Sequence, residues 1–308
     1  MFFFFMGDIN KDTKEKFSYL KEGEIIILEN IRFFDGENSN DDNFAKKLAS
    51  LGDIYINDAF SCSHRKQASV HKITEYVKEV YAGPLLKKEI ETINLVINNK
   101  KKPVTCIIGG SKISTKINVI INLIKNVDNI IIVGAMANNF LIYNGLRVGK
   151  SLVEKNVKEV IKKIYIEVKK NKCNIIIPED VCVSNSFDGS GINKKTDSIN
   201  ESEMILDIGQ NTIEKIKDII ENSNTVLWNG PAGYFENINF SKGTLAIAEK
   251  ISDNTDKKSM VSVLGGGDTI SALNLSNQKL TFSHLSTAGG AFLEFLEGKD
   301  LPGLDVLK

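Results

Sequence analysis

The sequence predicts an α/β protein with a doubly wound parallel sheet, on three observations. Short β-branched runs recur at residues 24–28, 53–56, 104–108, 129–133, 173–177, 203–206, 225–228 and 259–264, with helical patterns between them. The runs are continuously apolar, as strands covered on both faces are, where a half-exposed sheet would alternate. Several of them end in glycine loops that lead into helix-like segments, and doubly wound sheets bind ligands at the carboxyl ends of their strands.

The chain has 308 residues, 42% of them hydrophobic, enough for one large or two ordinary α/β domains. Lys+Arg and Asp+Glu are equal at 39 each, so no net field recruits nucleic acid or an acidic membrane. Cys62, Cys106, Cys173 and Cys182 show no C-x-x-C spacing and lie in or beside apolar runs, which reads as buried, reduced thiols in a cytosolic protein. Three histidines without ligand spacing argue against zinc. The opening Met1-Phe2-Phe3-Phe4-Phe5-Met6 is too short for a signal peptide and lacks a cationic leader; it reads as a strand fragment or an adventitious start. No run reaches the ~18 apolar residues of a membrane span. The expectation is a soluble, cytoplasmic protein with neither nucleic-acid nor membrane partners.

Between the early and late runs, a helical pattern begins at Pro84 and runs to Asn99, ending at Lys100-Lys101-Lys102-Pro103. Proline near the start, lysine at the end and proline just beyond are helix boundary signals. This helix bridges an N-terminal part (1–82) and a C-terminal part (103 onward). Repeats and low-complexity tracts are absent.

The stretch Val261-Ser262-Val263-Leu264-Gly265-Gly266-Gly267-Asp268-Thr269 carries the strongest chemical signal. A strand that feeds a glycine loop and a helix start gathers unpaired backbone N–H groups at one point, and anions collect there. Asp268 offers a hard oxygen ligand suited to Mg²⁺. Thr269 is placed to open and cap the helix, expected over 269–275. Alone, the stretch could equally be an ordinary β-to-α turn. Gly109-Gly110-Ser111-Lys112-Ile113-Ser114-Thr115-Lys116 repeats the logic. If a helix starts near Ser111, Lys112 and Lys116 share one face at i and i+4, a costly pairing at a helix N-terminus without an anion. A third small-residue loop, Ser286-Thr287-Ala288-Gly289-Gly290, leads into a helix over 292–296. Three such loops point to one phosphate-rich ligand. Glu236, in Asn229-Gly230-Pro231-Ala232-Gly233-Tyr234-Phe235-Glu236, stands beyond a strand where it can accept from ribose hydroxyls. Arg32 and Arg65 each lie just past an early strand and suit bidentate capture of a phosphate or carboxylate. Gly145-Leu146-Arg147-Val148-Gly149-Lys150-Ser151 has one residue too few between its glycines for a Walker A loop and reads as a helix-end turn.

The blocks LENIRF, NDAFSCSHR, AGPLLKKE, GGSKISTK, WNGPAGYFE, GGGDT and STAGGAFLEFLEGKDLPG, in this order, resemble the phosphoglycerate kinase family. The resemblance implies two doubly wound, parallel-sheet (Rossmann-like) domains and a reversible phosphoryl transfer between 1,3-bisphosphoglycerate and MgADP. It implies a monomer whose partners are ADP/ATP and the phosphoglycerates, with Mg²⁺ as cofactor. Residues 1–82 would be a partial phosphoglycerate-binding domain, 83–102 the interdomain helix and 103–290 the nucleotide-binding domain. Residues 291–308 would return towards the first. Arg32 and Arg65 would hold the non-transferred phosphate. Lys112, Gly289 and Gly290 would act on the phosphoryl group in flight. Lys116, Gly109, Gly110, Gly266, Gly267, Asp268 and Thr269 would surround the nucleotide phosphates, with Asp268 on the metal. Gly209 would lie near the nucleoside and Glu236 at the ribose.

The departures are specific. The family's first strand carries R-x-D-x-N-V-P and its second ends in H-x-G-R-P; this sequence has neither, which makes the N-terminal domain incomplete. Asp8-Ile9-Asn10 imitates D-x-N but no Val-Pro follows. Val133-Gly134-Ala135 replaces a glycine triplet and Ala288 a glycine, adding methyl groups near the expected ligand. The alternative function is a nucleotide-binding relative or gene fragment without turnover.

Overall fold

The computed structural model describes residues 1–9, 11–97, 101–276 and 278–307. The chain forms two compact units, Met1–Ile90 with Lys299–Lys308, and Glu91–Gly298.

In the smaller unit, β1 (Phe2–Phe5) pairs in parallel with β2 (Ile25–Leu28) after the helix α1 (Lys11–Phe17), so the phenylalanine run is a strand. Helices α2 (Asp35–Asn38) and α3 (Asp42–Ala49) follow, then β3 (Ile54–Asn57) pairs in parallel with β4 (Glu79–Ala82). Asp41 caps α3 by accepting from the Phe44 N–H at 2.7 Å, and Phe44, Ala45 and Leu48 face a small core with Ala68 and Ile73. The two ribbons do not join among the described residues. An all-apolar strand suits a sheet covered on both faces. Yet Ile25, Ile27, Ile54 and Ile56 are 49, 50, 55 and 58% exposed, so one face of each ribbon is open to solvent.

The helix α4 (Pro84–Ile97) carries the chain into the larger unit. Its first turn is held by Asp58, whose Oδ1 accepts from the Leu86 N–H at 2.9 Å. The expected continuation to Asn99 lies outside the described residues.

The larger unit is built on β5 (Val104–Ile108), β6 (Asn129–Ile132), β7 (Asn174–Ile176), β11 (Thr225–Asn229), β12 (Val261–Gly265) and β13 (His284–Ser286). They form one parallel sheet in the order β13-β12-β11-β5-β6-β7. Every residue of β5 and β11 is buried. The flanking helices are α5 (Ile117–Ile124), α6 (Ala135–Tyr143), α7 (Lys158–Asn171), α8 (Gln210–Glu221), α9 (Lys242–Lys258), α10 (Gly267–Leu273) and α11 (Gly290–Leu296). Ile213, Ile216 and Ile220 of α8 and Ile247 and Ile251 of α9 close on Ile107, Trp228 and Leu264 of the sheet.

One strand assignment needs correction. The 203–206 run belongs to β10 (Met204–Ile208), which pairs antiparallel with β8 (Asp180–Ser184) and not with the parallel sheet. With β9 (Ile192–Lys195) on the other side of β8, these form a separate three-stranded sheet. A turn of three residues separates β7 from β8, too short for the crossover a parallel neighbour requires. No helix among the described residues is long and apolar enough to cross a membrane.

Candidate active site

The parallel register places the candidate loops in one row. Ile108 lies opposite Ile132 and Asn229, Asn229 opposite Gly265, and Gly265 opposite Ser286. The loops carrying Lys112 and Lys116, Glu236, Asp268 and Gly289 therefore leave the same edge of the sheet from strands roughly 4.8 Å apart.

In the first loop the backbones approach closely. A Cβ on Gly109 would stand 2.2 Å from the Pro231 carbonyl oxygen, and Gly110 has φ +103°. Lys116 Nζ donates to the Gly109 carbonyl at 2.7 Å and to Asn229 Oδ1 at 2.9 Å. Burial pushes the Lys116 ammonium down to about 8, against the opposing pull of the Asp268 carboxylate. The expected helix start at Ser111 is not observed: α5 begins at Ile117 with Lys116 as its N-cap residue. Lys112 and Lys116 therefore do not stack at i and i+4, and Lys112 is exposed. Three contacts explain the open turn. Ile113 is fully buried, Lys116 folds back onto Gly109, and the backbone N–H and hydroxyl of Ser114 donate to Glu154.

In the second phosphate-type loop Gly266, at φ +101°, is the N-cap residue and α10 starts at Gly267. Thr269 accordingly neither opens nor caps the helix. It is fully buried, and its hydroxyl donates to the Gly265 carbonyl at 3.0 Å while accepting from the Gly230 N–H at 2.8 Å. Asn229 Nδ2 donates to the same carbonyl at 2.9 Å, so one amide ties this loop to Lys116. Asp268 is exposed. Gly289, at φ +51° with open space where a Cβ would be, leads directly into α11 at Gly290.

Beside these loops is a cavity of about 460 Å³, with Gly110, Glu236 and Asp268 in its lining and walls from Ala135, Leu152 and Leu206. Phe187 and Tyr234 also line it, their ring centroids 5.0 Å apart. Asp207 reaches it from β10; burial raises its carboxyl to about 7, although the Gly243 and Ile208 N–H groups both donate to it. Gly209 is outside the lining. It is the N-cap residue of α8, and a Cβ on it would stand 2.3 Å from Asp180 Cγ; the Asp180 carboxylate accepts from the Asn211 and Thr212 N–H groups at 2.9 and 2.7 Å. Of the added methyl groups, Ala135 lines the cavity, while Val133 points into the core and Ala288 is buried. Residues 145–151 form a helix-end turn, with Gly145 at φ +83° just past α6.

The arginines lie in the smaller unit. Asn30 Oδ1 holds the Arg32 N–H at 3.1 Å, and Arg32 Nη2 is 3.9 Å from Cys62 Sγ. That sulfur belongs to the loop carrying Arg65, which is exposed and donates to His64 at 3.4 Å. Cys62 is only half-buried, unlike Cys106 and Cys173, whose thiols burial pushes up.

Sequence reasoning missed Asn229, Asp207, Glu154 and the Phe187–Tyr234 pair. Asn229 and Asp207 were visible as polar residues closing apolar runs. Glu154 carried no signal, because its partner Ser114 is 40 residues away.

A family model described as phosphoglycerate kinase matches residues 3–299. The chain is 44% identical over 302 residues to the phosphoglycerate kinase of Wolbachia sp. subsp. Drosophila simulans (strain wRi), covering 97% of this chain and 76% of that protein. It is 46% identical over 298 residues to that of Wolbachia pipientis subsp. Culex pipiens (strain wPip), covering 96% and 75%. The solved phosphoglycerate kinase of Coxiella burnetii matches with a TM-score of 0.84 at 41% identity, over 92% of this chain and 73% of the other. That of Pyrococcus horikoshii OT3 matches with 0.84 at 29%, over 99% and 77%. Matched almost from end to end, and carrying its glycine loops on one edge of a parallel sheet, the chain belongs to the phosphoglycerate kinase family, the kinases of glycolysis.

Proposed function

We propose that the row of loops on the larger unit's sheet binds MgADP or MgATP and holds the phosphoryl group during transfer. The supporting observation is the register Ile108–Asn229–Gly265–Ser286, which aligns Lys116, Asp268 and Gly289 along one edge. The N–H groups of Gly266, Gly267 and Thr269 face the diphosphate, and Lys116 leaves the Gly109 carbonyl to meet it. The base enters the cavity, with Gly109 and Gly110 at its phosphate end and Glu236 at the ribose. Asp207 takes the place by the nucleoside expected of Gly209, which stands behind the wall. Lys112 and the N–H groups of Gly289 and Gly290 neutralise the transferring phosphoryl group. In the smaller unit Arg32 and Arg65 hold the non-transferred phosphate of the glycerate.

No cluster of three or more metal-binding side chains occurs among the described residues. One exposed carboxylate, Asp268, fits Mg²⁺ nonetheless, because that ion is commonly held by one or two carboxylates together with substrate phosphates. Bound there, it would neutralise charge shared between nucleotide oxygens. The acyl phosphate and the ADP oxygen need no general base, so positioning and charge compensation carry the reaction. Family membership is what supports reading the chain as a cytoplasmic monomer.

Titration calorimetry tests this reading. The chain should bind MgADP clearly and 3-phosphoglycerate only weakly, with Kd of about 1 mM or above, since the arginine- and histidine-bearing motifs named above are absent. Asp268→Asn and omission of Mg²⁺ should each weaken ADP binding about tenfold, and together no further. Additive losses would detach Asp268 from the metal.

A further inference from the structure

The loop carrying Lys112 and Lys116 is held by a residue that the phosphate chemistry does not use. Glu154 Oε2 accepts from the Ser114 backbone N–H at 3.1 Å, and Oε1 accepts from the Ser114 hydroxyl. The Glu154 N–H donates to Asn139 Oδ1 at 2.9 Å. Two residues earlier, the Leu152 carbonyl accepts from Asn138 Nδ2 at 3.0 Å. Asn138 and Asn139 are 1 and 3% exposed on α6, so the 152–154 stretch is pinned to a core helix. Behind it the Lys150 N–H donates to the Glu203 carbonyl at 2.7 Å, and Ser151 Oγ accepts from the Ile205 N–H at 2.8 Å. The stretch is thus fastened at both ends, while Leu152 between them lines the nucleoside cavity.

This arrangement accounts for an oddity of the lysine loop. Residues 111–116 can form the first turn of α5 by their own pattern, but Glu154 takes the Ser114 N–H and hydroxyl and holds an open turn. In that turn Lys116 reaches back to Gly109. We propose that Glu154 is a positioning residue, which clamps Ser114 to keep Lys112 and Lys116 at the anion site and couples that loop to the cavity through Leu152. The inference rests on the reading of the cavity and loop as a nucleotide site. Burial works against the Glu154 carboxylate, but the Ser114 bonds and the Lys112 charge outweigh it and hold its pKa below the usual range. The clamp is therefore charged at neutral pH.

The test compares wild type, Glu154→Ala and Glu154→Gln by hydrogen exchange of amides 111–117 and by MgADP calorimetry. In ligand-free Glu154→Ala, exchange of these amides should be about tenfold faster. MgADP affinity should fall by about the same factor, while the melting temperature stays near that of wild type. Glu154→Gln keeps an acceptor for the Ser114 N–H and should recover most of both. Unchanged exchange in Glu154→Ala would overturn the clamp, and faster exchange with unchanged affinity would overturn its positioning role. A wild type that does not bind MgADP would sink the nucleotide reading and the coupling, while the ligand-free exchange comparison would still decide the clamp. Should Glu154→Ala fail to fold, Ser114→Ala removes only the hydroxyl bond. It should raise exchange by a smaller factor, and no rise would overturn the clamp.

Discussion

Lys116→Met should weaken MgADP binding by roughly 10²-fold while leaving the fold intact, because it removes a half-buried cation at the mouth of the glycine loops. The methionine keeps the apolar stem. Left without the ammonium are the Gly109 carbonyl and Asn229 Oδ1, which it satisfies at 2.7 and 2.9 Å in the wild type. Their loss is offset in part by the disappearance of a desolvated charge. The same residue makes a pH prediction of definite sign. Its folded pKa is lowered from 10.5 to about 8, so between those values the unfolded chain binds more protons than the folded one. This group's contribution to stability therefore rises with pH across that window. Nucleotide binding behaves oppositely. Above about pH 8 the diphosphate must recruit the missing proton, so calorimetry near pH 8.5 in buffers of different ionisation enthalpy should show proton uptake. Wild type should show it and Lys116→Met should not. Equal uptake in both would assign the proton elsewhere.

Gly109→Ala should be among the most damaging small substitutions in the larger unit. Its Cβ would stand 2.2 Å from the Pro231 carbonyl oxygen and 2.6 Å from that of Gly230. A Cβ on Gly230 would in turn stand 2.5 Å from the Gly109 carbonyl carbon, so the two backbones already touch. Relief would require parting loops that leave the paired residues Ile108 and Asn229. The expected cost is about 3 kcal/mol, at the upper end for overpacking, since backbone and not a flexible side chain must move. MgADP binding should fall with it, because the Gly109 carbonyl is what Lys116 rests on. Gly267→Ala is the control: nothing lies within 4 Å of its Cβ position and its φ is not positive. It should melt like wild type, so any lost affinity there reports how closely a ligand approaches the backbone. If Gly109→Ala melts no lower than Gly267→Ala, the close approach at Gly109 is not as described.

Some of this was legible in the sequence. Continuous apolar runs ending in glycine announced the parallel sheet and its ligand edge, because burial on both faces and close backbone approach each leave a local mark. What the local pattern could not show was competition from distant partners. The stretch from Ser111 has helical potential, but Glu154 and the Gly109 carbonyl take its donors. Thr269 looked like a cap because it follows Gly-Asp, yet Gly230 and Gly265 draw its hydroxyl inward. The 203–206 run looked like every other buried strand. Its antiparallel pairing is with β8, about 20 residues earlier, and periodicity does not register which partner a strand takes. In the smaller unit the apolar strands were visible, but their half-exposed isoleucines become evident only when the ribbons are seen unjoined.

The central claim is that one edge of the parallel sheet, helped by Lys116 and Asp268, cradles a magnesium-bound diphosphate. A crystal structure of this chain with MgADP tests it most directly. The diphosphate should lie on the N–H groups of residues 266–269, with Lys116 Nζ moved from the Gly109 carbonyl to a phosphate oxygen, Mg²⁺ on Asp268 and the base in the cavity beside Tyr234. A nucleotide bound away from this edge, or one seated here with Lys116 still on Gly109, would contradict the account.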